Sequence, residues 1–242
     1  MSELTGPIVT TSWDDGHVLD LRLANLLARY GIRGTFYVAP QNVEFAPGRR
    51  LDDAAIAKLA TGFEIGAHTL THRRLTTLSL KEAQREIVDG KEALESIIGF
   101  PVKAFCYPGG LYDAGHVKLV RAAGFSVART TQRFAISLPT DPLQMPTTVH
   151  AYRHLANNNA LKLAKCRPLL AFNLVRCWDR MAELLFDQVL ASNGVFHLWG
   201  HSWEVDRHKD WRRLERVLAY VGRRPGVRYV TNSALVDKDG RA

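Results

Sequence analysis

Short apolar runs alternate with longer segments of helical periodicity along the 242 residues of the chain. Runs rich in β-branched and aromatic residues predict strands, whereas apolar residues spaced three and four apart predict helices. The predicted strands are 8–13, 35–38, 63–67, 102–107, 125–128, 145–150, 195–199 and 227–230. The predicted helices are 18–30, 52–60, 79–98, 116–123, 161–174, 178–190 and 211–221. Such alternation predicts parallel strands joined by crossover helices.

This pattern fits either a (β/α) barrel or a doubly wound sheet. No linker rich in proline, glycine or serine divides the chain and no short repeat recurs, so residues 1–242 are predicted to form a single α/β domain. Both architectures place their active sites at the carboxyl ends of the strands. Polar residues that directly follow predicted strands are therefore the first candidates for function.

Composition narrows the class of protein. With 46% hydrophobic and 23% charged residues, the chain is not intrinsically disordered. Three cysteines (Cys106, Cys166 and Cys177) exclude a disulfide framework and indicate a reducing compartment. Residues 1–7 lack a basic region followed by an apolar one, so we expect no signal peptide and a cytoplasmic location. The longest apolar stretch, 169–175, is too short to span a membrane.

The net charge of +8 is unevenly distributed. Residues 142–178 contain no acidic residue but include Lys162, Lys165 and Arg167. One interpretation is a solvated basic surface. The other is attraction to an anion, such as a phosphate-linked substrate, an anionic lipid surface or nucleic acid. Because no helix-turn-helix, RRM or zinc-finger pattern is recognisable, we expect no nucleic-acid partner. Because the longest apolar stretch is too short to span a membrane, we expect no more than peripheral membrane contact.

Two clusters of polar residues follow the first and third predicted strands. Side chains on a strand alternate between faces, but at its end both Asp14 and Asp15 can reach one cavity. The alternative is an Asp-Gly turn in which one aspartate caps the helix that begins at Val18. On a helix, the i, i+4 spacing of His68 and His72 brings two imidazoles to one ion. The alternative is a pair of surface histidines in a polar loop.

A third cluster contains His201, whose ordinary pKa near neutrality suits a general acid or base. A hydrogen-bonded loop histidine is the alternative. Together, Asp15, His68 and His72 offer one carboxylate and two imidazoles, the donor set of a catalytic divalent metal with an open position for water. Asp14 is placed to take a proton from that water, and His201 to protonate the leaving group. We predict that the metal is zinc.

Four segments resemble motifs of the polysaccharide deacetylase (NodB-homology) family, carbohydrate esterase family four. Thr11-Ser-Trp-Asp-Asp-Gly16 resembles the family's Thr-Phe-Asp-Asp-Gly motif, and His68-Thr-Leu-Thr-His72 resembles its His-Ser/Thr-x-x-His motif. Phe105-Cys-Tyr-Pro-Gly-Gly110 lies where the third motif, Arg-x-Pro-Tyr/Trp-Gly, is expected. Phe196-His-Leu-Trp-Gly-His201 resembles the fifth motif. The segments occur in the family's order and cover nearly the whole predicted domain.

The resemblance implies a distorted (β/α)7 barrel and an enzyme that removes N- or O-acyl groups from sugars. It implies that Asp14 is the general base and His201 the general acid. It further implies that Asp15, His68 and His72 bind the metal. These roles coincide with those that the residue types suggest by themselves.

The third and fourth motifs depart from the family pattern. Cys106 stands where the family has an arginine that orients the base, Gly109 replaces an aromatic residue, and the fourth motif is not recognisable. By the resemblance, the backbone N–H of Gly109 still helps to hold the oxyanion. Cys106 is a packing residue, a fourth metal ligand or a reactive thiol; we expect packing, because cysteine is usually buried and inert, with Arg129 orienting Asp14. The candidate substrate-contacting residues are Gly109, Tyr107, Arg129 and Trp203.

We therefore predict a metal-dependent hydrolase that removes an N-acetyl or other acyl group from a sugar. The motif departures argue against an ordinary polymer substrate and no export is expected. The predicted substrate is an intracellular precursor of a surface polysaccharide, with a phosphate-linked sugar as the candidate. Two alternatives stay open. One is a catalytically silent carbohydrate-binding relative; the other is a hydrolase of another non-peptide amide, such as a cyclic ureide or a formamide.

Overall fold

The computed structural model of the protein describes residues 6–152 and 177–236. The strands are β1 (Ile8–Asp14), β2 (Thr35–Val38), β3 (Glu64–Ala67), β4 (Ala104–Cys106), β5 (Val127–Arg129), β6 (Val149–His150), β7 (Val195–Gly200) and β8 (Arg228–Tyr229). The helices are α1 (Asp20–Arg29), α2 (Asp53–Ala60), α3 (Leu80–Ile98), α4 (Ala114–Ala122), α5 (Trp178–Ser192), α6 (Ser202–Arg207) and α7 (Trp211–Val221). Across these residues, no helix has the length and apolar composition needed to cross a membrane. The predicted helix 161–174 and the basic residues Lys162, Lys165 and Arg167 lie outside the described residues.

The strands form one parallel sheet in the order β5-β4-β3-β2-β1-β7-β6, with β8 paired beside the start of β1. The segment before β6 links the two ends of this sheet. Met145 N–H donates to the Ala128 carbonyl, and Thr130 N–H donates to the Met145 carbonyl, each at 2.8 Å. Further along the same segment, Val149 pairs with Leu198 of β7. The sheet thus curls into a distorted (β/α)7 barrel, which confirms the predicted barrel and excludes the doubly wound sheet.

Side chains of the strands alternate between two apolar layers, as the two-residue period requires. Phe36 and Phe105 belong to the main core, together with the apolar faces of the helices. Their neighbours Tyr37, Ala104 and Cys106 belong to a second, separate cluster on the other side of the sheet. Burying an apolar side chain of this size contributes about 1.5–3 kcal/mol. The two layers fix the strand ends, and they place Cys106 in a buried packing position.

Helix α3 shows how local sequence sets the ends of an element. The Ser79 hydroxyl accepts the Glu82 N–H, and the Glu82 carboxylate accepts the Ser79 N–H at 2.9 Å, which is the predicted capping box. The helix ends at Gly99, whose φ of 79° lies in the left-handed region that favours glycine. By contrast, α6 is not among the predicted helices, because its six residues are too few to show a helical period.

Candidate active site

Residues at or after the carboxyl ends of β1, β2, β3, β4, β5 and β7 line one cleft of about 200 Å³ at the carboxyl end of the barrel. The lining residues are Asp14, Asp15, Glu44, His68, His72, Tyr107, Gly109, Gly110, Thr131, Trp199, His201 and Trp203. The cleft includes every residue that the sequence suggested for the site except Arg129, which lies directly behind Asp14. The structure therefore brings all the predicted site residues together.

The end of β1 directs two adjacent carboxylates into the same cleft. Asp14 is the last residue of the strand, and Asp15 follows it with a φ of 81°, in the left-handed region. This turn of the backbone interrupts the strand alternation that would otherwise send the two side chains to opposite faces. Both residues are 3% exposed, so neither carboxylate is an ordinary surface group. The Trp203 indole N–H donates to Asp15 Oδ2 at 2.8 Å and fixes that carboxylate.

The two histidines meet in a loop rather than on a helix, so the predicted helical i, i+4 arrangement is wrong. After β3 the backbone is irregular, with φ values of 64° at Thr69 and 67° at His72. These left-handed turns fold the loop so that the rings of His68 and His72 lie 4.7 Å apart, centroid to centroid. Their Nε2 atoms lie 3.5 and 3.1 Å from Asp15 Oδ1. The loop thus achieves the convergence that the spacing predicted, by different geometry.

The three side chains fit a divalent metal ion. One ligand atom from each of Asp15, His68 and His72 lies within 4.8 Å of the others. Asp15 Oδ1 is buried without a hydrogen-bond partner among the described residues, although two imidazole nitrogens face it. One carboxylate and two imidazoles are a donor set that suits zinc. A cation held by these three residues would supply the partner that this oxygen lacks.

Further contacts hold these candidate ligands in place. His68 Nδ1 lies 2.8 Å from the Cys106 carbonyl oxygen, and His72 Nδ1 lies 3.3 Å from a Glu44 carboxylate oxygen. The hydrogen bond of His68 to the Cys106 carbonyl sets the orientation of that ring and makes its opposite nitrogen a better ligand. They leave Nε2 of both rings directed toward Asp15.

Arg129 contacts the candidate base. Its Nη2 donates to Asp14 Oδ2 through a short hydrogen bond, and its guanidinium lies 4.4 Å from the centre of the Trp199 ring. Burial raises the pKa of Asp14, but the Arg129 charge and nearby histidines outweigh burial and hold that pKa below its usual value. The Cys106 sulfur is 3.9 Å from Asp14 Oδ2 and is no substitute for a cation. Arg129 on β5 thus occupies the place beside Asp14 that the sequence assigned to it.

His201 faces both aspartates from the opposite wall. Its Nε2 lies 3.8 Å from Asp14 Oδ2 and 3.9 Å from Asp15 Oδ2. Its Nδ1 lies 2.5 Å from Glu204 Oε2. Burial lowers the pKa of His201, but Asp15, Glu204 and Asp14 outweigh burial and raise it to about 9. The ring therefore presents a protonated nitrogen to the cleft, as a general acid requires.

The remaining predicted contacts differ in what they offer a ligand. The Tyr107 hydroxyl donates to the Leu143 carbonyl at 3.0 Å, and its buried ring stacks on Tyr112. That hydroxyl is therefore engaged within the protein. Gly109 lines the cleft with a φ of 64° and brings only backbone to the wall. The indole N–H of Trp203 donates to Asp15, so this N–H orients a candidate metal ligand and is not free for a substrate.

Helix α3 supports the histidine loop through contacts that the sequence did not reveal. The Glu86 carbonyl accepts the Leu70 N–H at 2.9 Å, and its carboxylate accepts the N–H and hydroxyl of Thr71 at 2.9 and 2.6 Å. Gly90 lies against the same loop. A Cβ there would be 2.6 Å from Leu70 N and from the Thr69 carbonyl carbon. The apolar periodicity of a helix does not show which of its residues touches such a loop.

Gly90→Ala is expected to weaken metal binding by about 10- to 100-fold, the loss typical of disturbed support around a metal site. The added methyl overlaps backbone atoms, so the histidine loop must shift. Alanine is more favourable than glycine in a helix by about 1 kcal/mol. The expected loss of metal affinity therefore comes from the displaced loop and not from a weaker helix. Titration calorimetry with Zn²⁺ measures the affinity. In the matched control Gly62→Ala nothing lies within 4 Å of the new methyl; equal affinities for the two variants contradict the prediction.

Comparison with known proteins agrees with this geometry. A family profile described as "Polysaccharide deacetylase" matches residues 2–128. A peptidoglycan-N-acetylmuramic acid deacetylase, PdaC of Bacillus subtilis, is 30% identical over 109 residues, which are 44% of this chain and 22% of that protein. A peptidoglycan-N-acetylglucosamine deacetylase of Bacillus cereus is 28% identical over 122 residues, 49% of this chain and 54% of that one. The chain thus spans about a fifth and about half of these relatives.

Solved structures share the fold over nearly the whole chain. A Mycobacterium smegmatis structure assigned to the polysaccharide deacetylases has a TM-score of 0.70 at 16% identity, covering 97% of this chain and 90% of that one. The chitin deacetylase of Colletotrichum lindemuthianum has a TM-score of 0.58 at 19% identity, covering 94% and 86%. A family 4 acetyl xylan esterase of Clostridium thermocellum, in complex with cobalt, has a TM-score of 0.58 at 18% identity, covering 94% and 89%. At these identities the likeness concerns the fold.

Proposed function

The chain belongs to the polysaccharide deacetylase family, and from this we propose that it is a metal-dependent hydrolase that removes an acyl group, foremost N-acetyl, from a sugar. One observation carries the proposal. A metal-ligand set of Asp15, His68 and His72 lies in the same cleft as the ionised Asp14 and the protonated His201. Water attack on an amide needs a base on the water, an acid on the leaving nitrogen and stabilisation of the oxyanion.

Several similarities support the choice of reaction. The two curated relatives are named as deacetylases of amino sugars in peptidoglycan. A structural neighbour is a chitin deacetylase, and another binds a cobalt ion. We propose that Asp15, His68 and His72 hold a divalent ion, with zinc as the native metal. When bound, such an ion polarises the acyl carbonyl and lowers the pKa of a coordinated water toward neutrality.

The protein's own groups divide the proton transfers between two walls of the cleft. Asp14 accepts a proton from the attacking water, and the Arg129 cation keeps this carboxylate ionised and oriented. His201, protonated at Nε2, donates to the departing amine. The backbone N–H of Gly109 is proposed to donate to the oxyanion, since Gly109 lines the cleft beside the metal-ligand set. Positioned proton transfers of this kind contribute roughly 100- to 10,000-fold each.

A panel of acylated compounds tests the proposed function. Zn²⁺-loaded protein is incubated with N-acetyl and O-acetyl sugars, phosphate-linked N-acetyl sugars, cyclic ureides and formamides, and the released acid or amine is quantified. We expect acetate release from an N-acetyl sugar. Turnover of only the ureide or formamide assigns the site to another amide. Binding of sugars without turnover of any compound identifies a silent relative.

We propose that the sugar substrate is a phosphate-linked precursor of a surface polysaccharide. The basic composition of residues 142–178 supports a phosphate-linked precursor, because cationic segments attract anionic ligands over several ångströms. In the panel above, such a substrate gives a lower KM than the same sugar without phosphate. Equal KM values show that the basic residues of this segment do not contribute to substrate binding.

The roles of Cys106 and Arg129 give a contrast between two variants. Cys106→Ser is expected to keep the metal and most activity, because the thiol fills space in a buried cluster. Arg129→Ala is expected to lower kcat by up to about 100-fold, because Asp14 loses the cationic partner that orients it. Metal analysis and initial rates are measured for both variants. Arg129→Lys keeps the positive charge, so activity in this variant shows that the loss in Arg129→Ala comes from the missing charge and not from misfolding. Loss of metal from Cys106→Ser contradicts the packing role.

A further inference from the structure

A second cluster of ionisable side chains lies behind the cleft. His150, His201 and Glu204 each place one donor atom within 4.8 Å of the others. We propose that Glu204 and His150 are positioning residues: Glu204 fixes the ring of His201 through Nδ1, and His150 holds Glu204 in place. This inference rests on the proposed function, in which His201 donates a proton to the leaving group.

The distances define a chain of two contacts. Glu204 Oε2 lies 2.5 Å from His201 Nδ1 and 3.2 Å from His150 Nε2. An ionised carboxylate only accepts hydrogen bonds, so Nδ1 of His201 bears the proton in its hydrogen bond with Glu204. With Nδ1–H committed to Glu204, the orientation of the His201 ring is set and Nε2 faces the two aspartates. A ring held this way needs no reorientation before it donates a proton.

Local backbone structure explains why Glu204 reaches His201. The chain enters α6 directly after His201, and Glu204 N–H donates to the His201 carbonyl at 3.1 Å. Residues three apart on a helical turn are neighbours, so the two side chains meet on one face. Glu204 follows His201 by three residues in the sequence, but only the helical turn shows that its side chain contacts the histidine.

His150 connects this arrangement to the opposite wall of the cleft. Its ring stacks on Trp199, with centroids 3.8 Å apart and planes 13° from parallel. The same Trp199 ring contacts the guanidinium of Arg129, which holds Asp14. Glu204, His150 and Trp199 thus connect the candidate acid to the candidate base through consecutive side-chain contacts. Strand β6 contributes to the site through His150, although this residue does not line the cleft.

A second metal site is the other chemistry that two imidazoles and a carboxylate suggest. Zinc lies about 2.0–2.2 Å from its ligand atoms, so two ligands in tetrahedral geometry are roughly 3.3 Å apart. The separation of 2.5 Å between Glu204 Oε2 and His201 Nδ1 is that of a hydrogen bond. It leaves no place for an ion between the two atoms. The cluster is therefore assigned to positioning.

Glu204→Gln tests the assignment in the Zn²⁺-loaded 242-residue chain. We expect kcat for acetate release from an N-acetyl sugar to fall by up to about 100-fold, the loss that a small misplacement of a catalytic group can cause. KM and metal content stay within twofold, because Glu204 contacts none of the candidate ligands. His150→Gln gives a smaller loss of the same kind. The control Glu215→Gln removes a half-buried carboxylate that is paired with Arg29 and does not line the cleft, and it leaves kcat unchanged.

A double-mutant cycle separates positioning from a general structural role. Because Glu204 acts through His201, Glu204→Gln is expected to have no further effect in a His201→Ala background. An equal fold-loss in both backgrounds, or an unchanged kcat for the single variant, overturns the proposal. Binding of two Zn²⁺ ions per chain in the wild type, with one lost in Glu204→Gln, also overturns it.

A measurement without turnover keeps this inference separate from the proposed function. Nitrogen-15 NMR of the imidazole rings reports which ring nitrogen of His201 bears the proton. The wild type is expected to show a protonated Nδ1 in a strong hydrogen bond, and Glu204→Gln is expected to lose that resonance position. If the hydrogen bond is present but no acylated sugar is hydrolysed, the proposed function fails alone. If the resonance does not move, the positioning role fails.

Discussion

Asp14→Asn is expected to lower kcat by about 100- to 10,000-fold while the protein keeps its bound metal. Asparagine has nearly the shape of aspartate, but its amide cannot accept the proton of the attacking water. The metal stays because the candidate ligands are Asp15, His68 and His72. Acetate release and metal analysis of the same preparation measure both quantities.

An exposed aspartate on α3 provides the matched control for this variant. Asp89→Asn removes the same charge from an exposed residue outside the cleft and is expected to keep the wild-type rate. A rate for Asp14→Asn within a few-fold of the wild type removes this residue from the mechanism. A low rate accompanied by loss of metal reassigns Asp14 to metal binding.

His68→Ala is expected to abolish stoichiometric metal binding and to lower the rate of acetate release by more than about 100-fold. Loss of a supporting contact around a metal typically costs 10- to 100-fold, and loss of a direct ligand costs more. His68 is buried and its Nε2 faces Asp15 Oδ1, so His68→Ala removes one of the two imidazoles of the candidate ligand set. Titration with Zn²⁺, followed by acetate assay, measures the result.

His208→Ala is the control for the loss of an imidazole, since this residue is exposed on the turn after α6. It is expected to keep both metal and activity. Full metal content and full activity in His68→Ala contradict the assignment of the metal-ligand set.

The sequence predicted the fold where local and long-range preferences agree. The capping box at Ser79 and the helix end at Gly99 are local features, and both appear in the structure. The choice between a barrel and a doubly wound sheet is not local, because both have the same alternation of elements. It is decided by the contacts of the segment around Met145 with β5 and of β6 with β7, which join distant parts of the chain.

The site was predictable in its chemistry but not in its geometry. A buried carboxylate is stabilised by a cation beside it. Because Cys106 stands where the family has an arginine, the sequence pointed to Arg129 as that cation. The helical arrangement of the two histidines was wrong, because left-handed residues such as Thr69 and His72 have no clear sequence signature unless they are glycine. Tertiary supports such as Gly90 and His150 depend on packing between elements.

The most direct test of the account is acetate release by chelator-treated protein as Zn²⁺ is added back. The account predicts negligible release by the metal-free protein and a rate from an N-acetyl sugar that rises linearly until one ion is bound per chain. Asp14→Asn, titrated in parallel, binds the same single ion without gaining activity. Full acetate release by the metal-free protein, or none from any acylated sugar when one Zn²⁺ is bound, contradicts the account.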